Sequence, residues 1–386
     1  MAVLIAGSAV RTCLGAGAET FDGLLRGVCG VSPLRYGDSG RLNVAYGYHA
    51  ELAGEPFRAG RLLAECLKEA VAQSGLDTAD TVDTADTVDT VDTAARRVAV
   101  LVGTGLRELS AVERLALTGE PVSAGRLDFA DVVAETLPDA TYVTTIVNAC
   151  SAGGHVLALA QDMLELGECD AVVVAAADAM TRSMLAMVGR VAETPTERVR
   201  PFDRERTGVL LGEGAAALVV VPESWDGPVL GRVAATGLSC DAHHATAPDI
   251  EGIARAMSDA YTRADRAPSD VDVVVAHATG TALNDPVECE ALRKVVLGGG
   301  GNPLVTAVKG STGHTSGSAA LVNVDVALRI FASGEVPAVA GLTDPLDEGI
   351  GLRLVIGDTV AARPELVQVD SFGFGGVNAV TLLERV

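Results

Sequence analysis

The chain has 386 residues, and its 51 acidic against 29 basic residues give a formal charge of -22 at pH 7. So large a negative charge repels nucleic acids and anionic membranes, so we expect neither as a partner. The length predicts two domains or one two-lobed body, and a hydrophobic content of 48% predicts a large buried core.

The start of the chain and the cysteines suggest the compartment. No basic segment precedes the first apolar residues, and no run of 18 apolar residues occurs, so the sequence predicts neither secretion nor a membrane span. The seven cysteines are an odd number without C-x-x-C spacing, which favours neither a disulfide framework nor a zinc site. We therefore expect a cytoplasmic protein without a bound metal.

The predicted elements alternate between helices and strands. A helix over 60–73 precedes a run at 77–94 with aspartate at every third position, a spacing that predicts a hydrated, mobile loop. Further helices are predicted at 155–167 and 320–334. Apolar runs typical of strands buried on both faces occur at 98–105, 171–179, 215–221 and 271–280. The alternation predicts an α/β protein whose helices cover its sheets.

A weak internal repeat divides the chain. Residues 210–223 resemble residues 371–384, each with a G-x-G turn that leads into a strand. The same offset places Cys150 opposite Ser311. We therefore predict two similar halves, the first with a candidate nucleophile: residues 1–223 and residues 224–386.

Cys150 is the cysteine with the strongest case for chemistry. It follows an apolar, strand-like run and stands at the predicted start of a glycine-rich helix. A helix N-terminus stabilises a thiolate, so we expect a lowered pKa and a reactive nucleophile. The other six cysteines are interpreted as small buried hydrophobic residues.

Two of the six histidines lie where strands give way to turns. His277 lies at the C-terminal end of the buried strand predicted within 271–280, and His314 follows a strand-like segment in a glycine-rich turn. The ends of strands are where α/β sheets commonly carry their sites. A zinc site made of these histidines and Cys150 is the alternative, but it leaves the G-x-G turns, the repeat and Lys309, one of only three lysines, unexplained.

Five ordered segments carry a family resemblance: 148–155, 200–220, 276–288, 308–320 and 371–380. With these segments the chain is similar to β-ketoacyl-acyl carrier protein synthases, the elongating ketosynthases of fatty-acid and type II polyketide synthesis. The resemblance runs from the first predicted strand to the last residue. It implies the thiolase fold, with two pseudo-symmetric lobes in a layered α-β-α-β-α arrangement.

The resemblance also implies an activity, a decarboxylative Claisen condensation. Cys150 takes the acyl group from acyl carrier protein, and the backbone N–H groups of Cys150 and Phe374 form an oxyanion hole. His277 and His314 bind the thioester carbonyl of a malonyl-type extender while carbon dioxide leaves. Lys309 supports the histidines rather than acting as a nucleophile.

Further residues match the family's substrate-binding positions. Thr279 and Thr281 correspond to threonines that bind the phosphopantetheine arm, and Phe374 corresponds to the gating phenylalanine. Arg204 and Arg206 are candidates for contact with the acidic carrier protein or for surface ion pairs. No cofactor is implied, because phosphopantetheine enters on the carrier. By analogy of fold we expect a homodimer, or a heterodimer with a related ketosynthase-like subunit.

The sequence departs from the family pattern at three places. Asn323 stands where elongating synthases usually have a glutamate linked to the lysine, Ala278 replaces a glycine, and the region 105–142 is shorter. Two alternatives therefore stay open, an acyltransferase without decarboxylation and a chain-length-factor-like partner subunit. Acyl chain length, extender unit and pathway are not specified by the residues.

Overall fold

The computed structural model describes residues 2–35, 39–51, 56–76, 96–191 and 195–386. The aspartate-repeat loop predicted at 77–94 lies outside the described residues. In the described ranges no helix combines the length and the apolar character that crossing a membrane requires.

The strands are β1 (Val3–Thr12), β2 (Gly15–Ala16), β3 (Ser32–Pro33), β4 (Tyr46–Gly47), β5 (Val98–Thr104), β6 (Tyr142–Val147), β7 (Ala171–Asp178), β8 (Gly214–Val221), β9 (Gly231–Cys240), β10 (Val273–Val275), β11 (Leu304–Thr306), β12 (Glu335–Val336), β13 (Arg353–Leu354), β14 (Val360–Ala361), β15 (Leu366–Gly373) and β16 (Val377–Glu384). The α-helices are α1 (Gly17–Leu25), α2 (Ser39–Leu42), α3 (Arg58–Ser74), α4 (Leu109–Thr118), α5 (Ala124–Leu127), α6 (Ala130–Thr136), α7 (Ala152–Glu165), α8 (Arg182–Val191), α9 (Ile250–Ala264), α10 (Asn284–Leu292), α11 (Lys309–Thr312) and α12 (Ala319–Ser333).

Among the described residues, five strands of each half follow the same spatial order within one sheet, which β2 and β13 also join. The first set runs β1-β8-β7-β5-β6 and the second runs β9-β16-β15-β10-β11. In both sets the second strand is antiparallel to the first and third strands on either side of it, and the last two strands are added in parallel. A short pairing of β1 with β9 joins the two sets. The order confirms the predicted pseudo-symmetric α/β architecture.

The helices form layers on the strands because the strands are apolar on both faces. All eight residues of β7 are buried, as expected for a strand covered from both sides. Helix α3 packs on β1 and β8, and α9 packs on β9 and β16. Helices α7 and α12 contact each other and the strands of both sets, so they form the central layer.

The fixed offset of the sequence repeat is wrong around the nucleophile. Short 3₁₀ turns at Ala149–Ser151 and Ser316–Ser318 lead into α7 and α12, so Cys150 corresponds to Gly317 and not to Ser311. The reason is an extra helical turn in the second half, α11, which has no counterpart before α7. The boundary between residues 223 and 224 falls in the connection from β8 to β9, and the two-domain division stays a prediction.

Candidate active site

The site lies where both halves present the ends of their parallel strands. Cys150 is in the turn between β6 and α7, and His277 follows β10. Lys309 begins α11 after β11, and His314 comes just beyond that helix. The residue before the cysteine, Ala149, has a φ of 49°, a left-handed conformation that costs energy for any residue with a Cβ.

Cys150 faces a histidine at hydrogen-bond distance. Its Sγ atom is 2.9 Å from Nε2 of His314. The backbone N–H groups of Phe374 and of Cys150 itself lie near the same sulfur and favour its thiolate form. The predicted convergence of cysteine and histidine is therefore present.

The expectation of a lowered cysteine pKa is wrong in its net direction. Burial raises the pKa of Cys150 to about 11, although the positive charge of Lys309 and the two backbone N–H groups act against it. Desolvation outweighs these favourable interactions because the sulfur lies between the two halves. At neutral pH the resting form of Cys150 is therefore the thiol, which needs a nearby base to remove its proton. Nε2 of His314 lies at hydrogen-bond distance from the sulfur and can serve as that base.

The two histidines lie edge to face. Their ring centroids are 5.4 Å apart with an interplanar angle of 86°. Burial, reinforced by the charge of Lys309, holds the pKa of both His277 and His314 well below the usual value. Both rings are therefore neutral at pH 7, and each offers one donor nitrogen and one acceptor nitrogen.

Lys309 fixes the tautomer of His277. Its Nζ atom is 3.4 Å from Nδ1 of His277 and donates to the backbone oxygen of the same residue. A charged ammonium can only donate, so Nδ1 accepts and the ring proton is assigned to Nε2. Lys309 is only 1% exposed, and burial lowers its pKa to about 8 although Glu288 acts in the opposite direction.

Glu288 on α10 holds the backbone that carries His277. Its carboxylate accepts the N–H groups of His277 and Ala278, both at 2.7 Å, and the side-chain amide of Asn284 at 3.0 Å. Burial raises the pKa of Glu288 to about 7. Ala278 has a φ of 36°, which explains why a glycine suits this position.

Asn323 makes no hydrogen bond to Lys309 among the described residues. Its Nδ2 atom donates to the carbonyl oxygen of Ala276 at 3.4 Å, and its buried Oδ1 atom has no hydrogen-bond partner among the described residues. The position that the family resemblance links to the lysine is therefore uncharged and points its amide to the end of β10.

Asp178 is a site-supporting residue that the sequence analysis missed. It ends β7 and accepts hydrogen bonds from Thr104 Oγ1 and from the N–H groups of Gly105, Leu106 and Gly317. It thereby ties β5 and β7 to the turn that precedes α12. Burial raises its pKa to about 6. An aspartate at the end of an otherwise apolar strand was the available signal.

The predicted substrate-binding threonines lie together. Thr279 Oγ1 and Thr281 Oγ1 are 3.0 Å apart. Arg206 donates from Nε to the backbone oxygen of Thr281 at 3.1 Å, so it supports this loop. Arg204 instead forms ion pairs with two surface aspartates of the same chain, at 3.1 and 2.7 Å.

Phe374 lies in the turn between β15 and β16. The residue is 46% exposed, although its backbone N–H lies near the cysteine sulfur and favours the thiolate. Gly375 and Gly376, which follow it, have φ values of 88° and 76°, so only glycine fits this turn without strain. Within the described ranges, no group of three or more histidine, cysteine or acidic side chains is arranged to hold a metal ion.

This architecture and site define the class: a thiolase-fold protein with one cysteine, two histidines and a lysine where its halves meet. The description "Beta-ketoacyl synthase, N-terminal domain" matches residues 53–224, and "Beta-ketoacyl synthase, C-terminal domain" matches residues 230–343. The chain belongs to the β-ketoacyl synthase family.

Curated relatives include proteins named "3-oxoacyl-[acyl-carrier-protein] synthase 2". That of Coxiella burnetii is 31% identical over 63% of this chain and 61% of its own length. That of Mycobacterium tuberculosis H37Rv is 31% identical with the same coverage. Nodulation protein E of Rhizobium leguminosarum bv. trifolii is 31% identical over 62% of this chain and 61% of its own length. The chain thus spans about three fifths of the length of the curated relatives it matches.

Solved structures match over the whole chain. The ishigamide ketosynthase/chain length factor has a TM-score of 0.87 at 28% identity, covering 100% of this chain and 99% of its own. A ketosynthase domain of the oxazolomycin system of Streptomyces albus has a TM-score of 0.85 at 21% identity, covering 100% of this chain and 75% of its own. These likenesses agree with the thiolase fold.

Proposed function

We propose that the protein is a β-ketoacyl-acyl carrier protein synthase, which joins an acyl group on Cys150 to a malonyl-type extender on acyl carrier protein. The observation that carries this proposal is the 2.9 Å contact between Cys150 Sγ and His314 Nε2 beside His277. The names of the curated relatives support the same activity and the same carrier.

The first half-reaction loads Cys150. The sulfur attacks the thioester carbon of the acyl carrier, and its proton passes to Nε2 of His314 and then to the departing carrier thiolate. The negative charge on the carbonyl oxygen is stabilised by the N–H groups of Cys150 and Phe374, which already converge on the sulfur. The product is an acyl thioester of Cys150.

The second half-reaction forms the carbon-carbon bond. His277 donates a hydrogen bond from its Nε2–H group to the thioester oxygen of the extender. The His314 ring lies edge to face beside the His277 ring. The bond to the extender's carboxylate breaks, carbon dioxide leaves, and the resulting enolate attacks the acyl carbon. The Cys150 sulfur departs as a thiolate and takes up one proton from solvent, which regenerates the thiol. Losing a hydrogen-bond donor to the developing enolate oxygen, such as His277 Nε2–H, typically costs about 3 to 4 kcal/mol in the transition state.

A paired assay tests the proposal. Acyl carrier and malonyl carrier substrates are mixed with the protein, and carbon dioxide, the ketoacyl product and the mass of the protein are measured. Carbon dioxide release with an acyl adduct on Cys150 supports condensation, and Cys150→Ala removes the adduct. Acyl transfer without carbon dioxide supports the acyltransferase alternative, whereas absence of an adduct supports a chain-length-factor-like subunit.

The carrier's phosphopantetheine arm is the only prosthetic group in this proposal, and it enters with the substrate. We place it beside Thr279 and Thr281, whose hydroxyl groups lie 3.0 Å apart in the loop that follows His277. Arg206 then acts by holding that loop. The partially exposed guanidinium of Arg204 is shared with acidic neighbours, which weakens its attraction for an acidic carrier.

The proposal includes a dimer in the cytoplasm, without nucleic acid or membrane partners. Among the described residues β6 pairs with β5 on one side only, so its other edge has unpaired backbone groups. Tyr142 and Val147 on this strand are 50% and 42% exposed. A second copy, or a related subunit as in the ketosynthase/chain length factor, fits this edge.

A further inference from the structure

A serine of the second half holds the backbone of the nucleophile. Ser371 on β15 is 2% exposed, and its Oγ atom donates a hydrogen bond to the backbone oxygen of Cys150 at 3.0 Å. The bond therefore ties a strand of one half to the residue that carries the reactive sulfur of the other.

The turn that carries Cys150 needs such support because its backbone is strained. Ala149 has a φ of 49°, and a residue in this conformation persists only where its surroundings hold it. Within the first half, Ser151 Oγ donates to the backbone oxygen of Asn148 at 3.1 Å, a bond that is local to the turn. Among the described residues, the bond from Ser371 is the one that fixes the backbone of this turn to the second half.

The next residue of β15 contacts the other side of the site. Successive side chains of a strand point to opposite faces, so Ser371 and Phe372 face opposite ways. On one face, Ala379 of β16 pairs with Ser371, and a Cβ on Gly154 of α7 would lie only 2.6 Å from the Cβ of Ala379. On the other face, the ring centroid of Phe372 is 5.5 Å from that of His277. The end of β15 thus contacts the nucleophile's helix and a site histidine at once.

We infer that Ser371 is a positioning residue, which fixes where the Cys150 sulfur lies relative to the two histidines. Strand β15 pairs with β16 over its whole length, so the two adjacent side chains that reach Cys150 and His277 are held on a rigid element. The inference rests on the proposed function, in which Cys150 carries the acyl group, and adds a residue that acts through the backbone of the nucleophile.

A hydroxyl group suits this role because the atom it holds is a carbonyl oxygen. A carbonyl oxygen only accepts hydrogen bonds, and a serine hydroxyl donates one without carrying a charge. A link in the opposite direction uses a carboxylate, since Asp178 on β7 accepts the N–H of Gly317 at 2.7 Å. A carboxylate at position 371 could not donate, and its negative charge beside the sulfur would oppose the thiolate.

Alkylation of the cysteines by iodoacetamide tests the position of the sulfur without any substrate. The rates at Cys150 and at the exposed Cys240 are measured in the same sample from peptide masses, so that Cys240 is an internal reference. In Ser371→Ala we expect the ratio of the Cys150 rate to the Cys240 rate to fall by about 5- to 10-fold, because the sulfur is displaced from its base. That base is His314, whose Nε2 atom lies 2.9 Å away in the wild type.

Two further variants separate positioning from a general loss of stability. Ser371→Thr keeps the hydroxyl group and should restore at least about half of the wild-type ratio. Ser74→Ala is the matched control, because Ser74 is buried on α3 and its Oγ donates to the backbone oxygen of Val71 at 2.8 Å. This control loses the same kind of bond outside the site, so its ratio should equal that of the wild type.

The condensation assay adds a second readout. We expect kcat of Ser371→Ala to fall about 10-fold while KM for both carriers changes by less than about 2-fold, because Ser371 acts on the enzyme's backbone rather than on the substrate. If the wild type releases no carbon dioxide, the proposed function fails while the alkylation ratio still decides the role of Ser371.

An unchanged or higher alkylation ratio in folded Ser371→Ala overturns the inference, and so does a Ser371→Thr ratio as low as that of Ser371→Ala. If Ser371→Ala does not fold, Ser371→Cys is measured in its place. Its S–H group is a weaker donor, so we expect an intermediate fall in the ratio, and an unchanged ratio overturns the inference there too.

Discussion

Lys309 acts electrostatically on two groups of the proposed reaction, the Cys150 sulfur and the His277 imidazole. Its charge is the largest influence that lowers the pKa of Cys150, and its Nζ atom lies 3.4 Å from Nδ1 of His277. Because burial lowers the pKa of Lys309 to about 8, the charge is present below that pH and is lost as pH rises through it. We therefore expect condensation to decline above about pH 8.

Replacing Lys309 tests this dual role. We expect Lys309→Met to slow condensation by about 10²-fold, because the thiol is harder to deprotonate and His277 loses the partner that orients it. The matched control is Lys294→Met, since Lys294 is exposed and pairs with Glu251 at the surface. Rates measured from pH 6 to 9 check the prediction. A Lys309→Met enzyme that retains the decline above pH 8 contradicts it.

Ala278 is strained by its left-handed backbone. The residue is fully buried and has a φ of 36°. In this conformation its Cβ, which glycine lacks, is strained against the backbone. We expect Ala278→Gly to raise the free energy of unfolding by about 1 kcal/mol, because this strain is relieved. Ala276→Gly, two residues earlier and without a positive φ, should lower it by about 0.5 to 1 kcal/mol. Denaturant unfolding compares both, and equal effects argue against strain at Ala278.

At the scale of elements, β7 is held at its two ends by aspartates in opposite settings. Asp178 is buried and accepts four hydrogen bonds, three of them from backbone N–H groups. Asp170, just before the strand, forms a half-exposed ion pair with Arg97 at 3.0 Å. This contrast predicts that replacing each aspartate with asparagine lowers the free energy of unfolding by very different amounts.

We expect Asp178→Asn to lower the free energy of unfolding by about 2 to 4 kcal/mol, because an amide cannot accept from all four donors. Asp170→Asn should cost no more than about 1 kcal/mol, since exposed ion pairs contribute little. Thermal or denaturant unfolding of both variants checks the difference. Similar losses at the two positions are the result that rules this account out.

The elements show where sequence is informative. Continuous apolar runs predicted β5, β7 and β8 to within a residue or two, because strands buried on both faces leave a strong local pattern. The register of the repeat around Ser311 was wrong, because α11 is an insertion whose effect appears only in three dimensions. Asp178 could not be assigned either, because its donors come from segments far apart in the chain.

At the scale of the whole molecule, the site depends on contacts between the two halves. Cys150 belongs to the first half, and His277, Lys309 and His314 belong to the second. Their meeting was predictable only through the family resemblance, since local pattern places each of them at a strand end but gives no distance. Ser371 adds a link that no motif indicated, as its Oγ donates to the backbone oxygen of Cys150 at 3.0 Å.

The edge strand β6 leads directly into the turn that carries Cys150, so the proposed dimer also bears on the site. We expect Val147→Asp to convert the dimer into a monomer, because a buried, unpaired carboxylate at the centre of an interface is strongly unfavourable. Ile350→Asp, which changes an equally apolar exposed residue in the second half, should leave the dimer intact. Light scattering coupled to size-exclusion chromatography measures both masses. If Val147→Asp remains dimeric while folded, the interface lies elsewhere, and a wild-type chain that is monomeric alone calls for a different subunit at this edge.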